Sequence, residues 1–417
     1  MKKTLIAVAA AAALTATSAF AEITFGAWLR VLASPVASTG KDVITGVENS
    51  WGWGARTARI NINGTSEDGK AGFVMGVYND FESGLGQGDD AYLWVKPVDT
   101  VKVSVGKFDS PTNGLRGDFC YGSWNWLRPF NWVRDGEGLT FDGIRRSGLM
   151  VEADPMEGLH AFAVIPMSSS YKSAEETYRN IQVGFGYTIE GVGKLKAQFI
   201  GDYGYTTKNS KTGDYYLDAS SGEIERKSVA YDKDQDKTTG QIGVAFDITA
   251  IENLYVTVGA RFGIADKDYA RDYLKMEFSA GASYQVSETM KFSVDGDYKQ
   301  YQDKVLAGGD DSLFSVGAGV DFTVMDGLAA VADVRYMSNN YGKKGDDGAI
   351  SFLVGVNKSV SSNGSLGIGF QGATNGCGLV MNDDSGIKAG QSYTLGKDGG
   401  DGDEFVWAIP VSVSVWF

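Results

Sequence analysis

The chain of 417 residues carries one histidine, two cysteines and seven prolines, and each scarcity removes a class of chemistry. With only His160, Cys120 and Cys377, neither a four-cysteine zinc cluster nor an HExxH centre can be assembled. A Ser-His-Asp hydrolase would have to work through that single imidazole, so the sequence is read as that of a non-enzyme with no cofactor and no metal site. Basic residues are also short: 38 Lys and Arg stand against 52 Asp and Glu, a net charge of -14. That balance excludes nucleic acid as the main partner, because phosphate binding needs clustered cations. The few prolines exclude a Pro-rich disordered chain, while the 56 glycines amount to roughly twice the usual share.

A long hydrophobic run is missing too. Lys2 and Lys3 precede an apolar stretch from Leu5 into the alanines, and Ala19-Phe20-Ala21 has the small-x-small form of a cleavage site, so residues 1–21 read as a signal peptide and Glu22 as the mature start. Beyond it no segment approaches the about 18 apolar residues of a spanning helix. If the exported chain enters a membrane, it does so as strands.

What is present is alternation. Leu254, Val256, Val258, Ala260, Phe262 and Ile264 interleave with Tyr255, Thr257, Gly259, Arg261 and Gly263, a period of two with one apolar face. Leu274 through Val286 repeats it, with Lys275, Glu277 and Ser279 on the polar face. The same pattern predicts strands at 23–33, 51–63, 71–81, 91–96, 101–108, 139–153, 159–166, 179–189, 194–205, 238–249, 290–301, 312–324, 328–338, 349–360, 364–372 and 405–417. These make 18 candidate strands, in an expected range of 16–18. Alternation is poorest at 51–63 and 71–81, where bulges are expected.

Short turns, such as 64–70, 97–100, 154–158, 190–193, 250–253, 287–289 and 325–327, take turns with long polar loops near 34–50, 109–138, 206–237 and 373–404. Such asymmetry predicts short periplasmic turns at one end of a transmembrane antiparallel β-barrel and long extracellular loops at the other. A soluble sandwich of this size would split into linked domains, and no linker divides residues 22–417. Tyr187, Tyr203, Tyr284, Tyr298, Tyr336, Trp51 and Trp53 near strand ends fit interfacial girdles. A barrel of this many strands leaves an aqueous channel.

Phe405, Trp407, Ile409, Val411, Val413, Val415 and Phe417 alternate to the last residue. A final strand ending in Phe resembles the signal read by the outer-membrane barrel-assembly machinery. Residues 103–115, VSVGKFDSPTNGL, resemble the Gly-Arg/Lys-x-Asp-x-Pro passage that leads into the constriction loop of the bacterial general porins. FDGIRRSG at 141–148 resembles that family's next strand, with Arg146 where its tyrosine stands, and the family's Pro-Glu-Phe-Gly motif is absent. The resemblance implies an outer-membrane homotrimer, contacting lipid and lipopolysaccharide, for passive diffusion of small hydrophilic solutes. It also implies a third loop, 109–138, folded into the lumen.

On that reading the loop carries Asp109, Asp118, Asp135 and Glu137 along with Arg116, Arg128 and Arg134 at the pore constriction, and Arg30, Arg59, Lys102 and Arg146 line the lumen wall. A transverse field between loop carboxylates and wall cations would orient polar solutes and filter ions; alternatively the arginines serve in structural ion pairs. Phe119, Tyr121, Trp124, Trp126, Phe130 and Trp132 crowd the same loop, and Trp28 has lumen parity. These rings either anchor the loop or form an aromatic slide in a sugar-selective porin. Cys120 and Cys377, both in long loops outside the reducing cytosol, either form a disulfide or stand as two thiols. A surface adhesin working through its loops is the reading from another class. Gly367 to Gly372 spells GxGxxG within a strand and opens no helix, and Asp232, Asp234 and Asp236 lack the EF-hand glycine and glutamate. His160 is an ordinary wall residue with no visible partner.

Overall fold

A computed structural model describes residues 22–38, 43–48, 56–79, 85–108, 146–168, 173–202, 215–217, 224–226, 239–265, 273–303, 311–338, 348–374 and 405–417. The first strands are β1 (Glu22–Ser38), β2 (Val43–Glu48), β3 (Arg56–Thr65), β4 (Ala71–Asn79), β5 (Leu85–Val98), β6 (Val101–Phe108), β7 (Arg146–Met156) and β8 (Leu159–Pro166). A one-turn helix α1 (Ala174–Tyr178), capped by Ser173, precedes β9 (Gln182–Ile189) and β10 (Gly193–Gly201). A small hairpin follows, β11 (Tyr215–Leu217) with β12 (Ile224–Arg226). The remainder are β13 (Gly240–Ile248), β14 (Leu254–Ile264), β15 (Leu274–Ser287), β16 (Met290–Tyr301), β17 (Ser312–Met325), β18 (Leu328–Met337), β19 (Ala349–Ser361), β20 (Gly364–Ala373) and β21 (Val406–Trp416).

Apart from β2 and the hairpin, these make a closed antiparallel barrel of 18 strands. Every strand pairs with its sequence neighbour, and β21 returns to β1 through partners such as Arg30 with Ser414 and Val31 with Val413. Closure leaves no sheet edge, so backbone N-H and C=O groups meet partners that hydrocarbon could not supply.

The alternation located the strands, and their ends and irregularities differ in instructive ways. The expected loop 34–50 contains the rest of β1 and all of β2, a hairpin extension that pairs Val36 with Thr45. Its bulge falls between Ala33 and Val36, where Pro35 has no N-H for the ladder. The bulge expected at 71–81 is there, between Met75 and Val77 against β5. The one expected at 51–63 is not: β3 keeps regular register from Ala58 to Thr65 with β1 and β4, and residues 51–55 lie outside the described residues.

The short connections cluster at one end. In the turn after β3, Asp68 accepts hydrogen bonds from the Ser66 hydroxyl (2.6 Å) and the Lys70 N-H (3.0 Å), while the Ala71 N-H donates to Ser66 Oγ (2.9 Å). Gly158 turns with φ of 77°, a left-handed conformation, and a Cβ there would stand 2.6 Å from the Thr188 oxygen. At the opposite end the connections run up to the stretch 109–145.

Burial is inverted relative to a soluble domain. Val294, Val316, Val334, Val354 and Ile368, outward-facing on five successive strands, are exposed, while Ser279, Ser293, Asp295, Asp333, Gln371 and Ser412 on the other face are buried. A continuous apolar surface of that extent is not sustainable in water. Tyr187, Tyr284, Tyr298 and Tyr336 lie exposed on the outer face, and rings pair along it, Phe262 with Phe278 and Phe314 with Tyr336, each at 5.8 Å. Tyr203, Trp51 and Trp53 lie outside the described residues.

Candidate channel wall

The inner wall follows from parity and register. Odd positions on β13 to β19 and even positions on β5 to β10 point inward, so each cross-strand row brings polar side chains together across about 5 Å.

Two ionic groups are built this way on neighbouring strands. Lys196 on β10 is 1 % exposed and holds Asp247 on β13 at 2.6 Å, and Thr257 on β14 donates to the same carboxylate at 2.9 Å. Arg261 on β14 donates to Glu277 on β15, and Lys299 on β16 approaches the other oxygen of Glu277 at 3.7 Å. Gln241 accepts from Arg261 at 3.5 Å. A buried charge persists only with such partners, since desolvation alone would cost several kcal/mol.

The wall near β3 to β8 is different. Arg59 donates to Asn61 at 2.5 Å and lies 3.4 Å from Asp90; Lys102 pairs with Glu152 at 2.9 Å and sits 5.9 Å above the Tyr92 ring. Beside them Phe108, Met150, Phe162, Val164 and Ala245 form a buried apolar cluster, with Tyr92 against it at 5.3 Å from Phe108. These residues project to the inner face, and all five are at most 4 % exposed.

The wall residues expected from sequence divide accordingly. Arg59 and Lys102 occupy inner positions, each in an ion pair. The backbone positions of Arg30 and Arg146 also have inner parity, and their side chains lie outside the described residues. Trp28 is on the inner face, paired in register with Trp416. Asp109, Arg116, Asp118, Phe119, Cys120, Tyr121, Trp124, Trp126, Arg128, Phe130, Trp132, Arg134, Asp135, Glu137 and Cys377 all lie outside the described residues. His160 does have a partner, contrary to expectation: its Nδ1 is 2.8 Å from Asp154, which the β7–β8 hairpin folds back beside it. Lys196, Asp247 and Lys299 were not singled out from the sequence. Their place on the polar phase of the alternation was the available signal, and their pairing needed the register.

Residues 179–363 match the profile of the family described as the porin subfamily. That match spans less than half of the chain. No curated protein matches it by sequence. Among solved structures the chain is similar to OprD of Pseudomonas aeruginosa, at 11 % identity and a TM-score of 0.50, covering 96 % of this chain and 96 % of that one. It is also similar to OmpF of Salmonella typhi in complex with daunomycin, at 9 % identity and a TM-score of 0.50, covering 95 % and 97 %. Those likenesses establish the shared barrel fold. Together with the closed barrel, the family match makes this chain an outer-membrane channel for small solutes.

Proposed function

We propose that the porin is a passive, general diffusion channel rather than an enzyme, that residues 1–21 are its signal peptide, and that charged side chains of its inner wall and constriction loop set its ion preference. The carrying observation is the inverted wall: charged side chains paired on the inside of a closed 18-strand barrel, with valine and phenylalanine outside. In a narrow low-dielectric passage such fixed charges act on permeating ions far more strongly than in bulk water.

Loop 109–138 is the constriction in this reading. It leaves the wall at Phe108, and the inward-facing cluster of Phe108, Met150, Phe162 and Val164 is buried although it projects into the barrel. An apolar inner patch of that kind supports a loop rich in Phe, Tyr and Trp packed over it. Homotrimer assembly, recognition of Phe417 by the assembly machinery and contact with lipopolysaccharide belong to the same proposal.

Planar-bilayer recording of the purified protein tests it. Stable ohmic conductance, with reversal potentials in a salt gradient that shift when Arg116, Arg128 and Arg134 are replaced together, is the expected result. Absence of conductance would refute the channel, and unshifted potentials would remove the loop arginines from the filter.

A further inference from the structure

The outer face carries its aromatic rings unevenly. Every barrel strand from β9 to β21 turns at least one ring outward, among them Tyr187 on β9, Phe278 on β15, Tyr336 on β18 and Phe370 on β20. So do β1 with Phe25 and β4 with Phe73. On β5 to β8, four strands in succession, none does. All four rings of these strands, Tyr92, Trp94, Phe108 and Phe162, lie on the inward phase. Among the described residues β3 lacks an outward ring too, but alone, between ringed neighbours.

What faces outward on β5 to β8 is a smooth aliphatic patch. Register aligns Leu93, Val105, Leu149 and Ile165 in one row, bounded by Phe73 on β4. Two rows nearer the short turns, Ala153 and Ala161 end at Phe185 on β9. Leu93, Val105 and Ile165 are 67 %, 52 % and 40 % exposed, so the described part of the chain leaves the patch open. Rings gather where strands cross the headgroup region, because that boundary is apolar on one side and wet on the other. A sector with no ring at either end is not built for that boundary. Its short side chains suit the close approach of another backbone, since association within a membrane rests on van der Waals packing.

From this arrangement we infer that the outer face of β5 to β8 is covered by further copies of this chain, meeting around a threefold axis. The width of the ringless sector fits that symmetry. Three cylinders in mutual contact touch along lines about 60° apart on each, and four of 18 strands subtend about 80° of a barrel, so the one sector spans both lines. A twofold pair would use a single line and would leave part of the patch facing headgroups without rings. The remaining wall, ringed from β9 round to β21, faces lipid. This inference deepens the homotrimer reading and rests on it, adding the face that the copies share.

The test is the protein mass of the purified porin in detergent, measured by light scattering with the detergent contribution subtracted. Wild type is expected as a trimer. The double variant Val105→Trp with Ile165→Trp sets two rings into the patch and should lower the mass about threefold, to monomers that still conduct in planar bilayers. Val354→Trp with Ile368→Trp, at exposed positions on the ringed side, should leave the trimer intact. Should the first double variant fail to fold, Leu93→Trp repeats the test with a single ring in the same row. A trimer that survives rings in the patch, or one split equally by rings on β19 and β20, would overturn this face while the trimer itself stood. A wild-type monomer or dimer would instead sink the homotrimer reading, and the face with it.

Discussion

Ala27 and Phe417 exchange both backbone hydrogen bonds, the Phe417 N-H donating to the Ala27 oxygen at 2.7 Å and the Ala27 N-H to the Phe417 oxygen at 3.0 Å. The last residue of the chain thereby pairs with the first strand, next to the seam between β21 and β1. Deleting Phe417 removes both bonds. At roughly 1 kcal/mol net each, the folded barrel should lose about 2 kcal/mol, read as an earlier midpoint in urea unfolding from lipid vesicles. An unchanged midpoint would show that this pair adds nothing to closure.

Lys196 and Asp247 form the most deeply buried ion pair among the described residues. Replacing Lys196 by Met removes the buried cation that Asp247 meets at 2.6 Å, and should cost about 3–5 kcal/mol. The double variant with Asp247→Leu should recover most of that loss. Equal stability of single and double variants in the same unfolding assay would mean the pair is not coupled.

Glu277 is shared by Arg261 and Lys299, one carboxylate against two cations. Glu277→Gln removes that negative charge and makes the inner wall here more positive, so the reversal potential in a potassium chloride gradient should move toward chloride preference. A shift toward potassium, or none, would remove this trio from the permeation path.

Exposure on opposite faces should sort substitutions by parity. Val294, 53 % exposed on the outer face, changed to Arg should destabilise by about 2–4 kcal/mol at membrane depth. Ser283, on the inward phase of β15, changed to Arg should cost far less. Equal costs in vesicle unfolding would contradict the inside-outside assignment.

In the turn after β3, the hydrogen bond from the Ser66 hydroxyl and then that from the Lys70 N-H hold the Asp68 carboxyl below its ordinary value of 3.8. A lowered folded value means the stabilisation is present above the unfolded pKa and is lost as pH falls through the folded one. Carbon-detected NMR titration should give a midpoint below 3.8, and Ser66→Ala should move it upward. A midpoint at or above 3.8 would mean that these bonds do not form in solution.

How much of this could be read from the chain alone depends on the range of the interaction. Period-two alternation is local, so Leu254–Ile264 and Leu274–Ser287 were visible residue by residue, as was the inward phase of Arg59, Lys102 and Trp28. Hairpins between near neighbours were less visible. The β2 extension lay within a polar segment that reads as loop, and Asp154 meets His160 only because a tight turn reverses the chain between them.

The period, the inside and outside of each strand, and therefore a barrel, follow from the order of residues, because side-chain direction in an extended chain depends on nothing beyond the residue's place in the alternation. Which inward residues meet is a matter of the folded barrel. Lys196 finds Asp247 across 51 positions, and Glu277 sits between Arg261 and Lys299, because register slides whole strands past one another by amounts set at turns and bulges. The closure of Phe417 onto Ala27 is of the same kind, a contact between chain ends that no local pattern encodes.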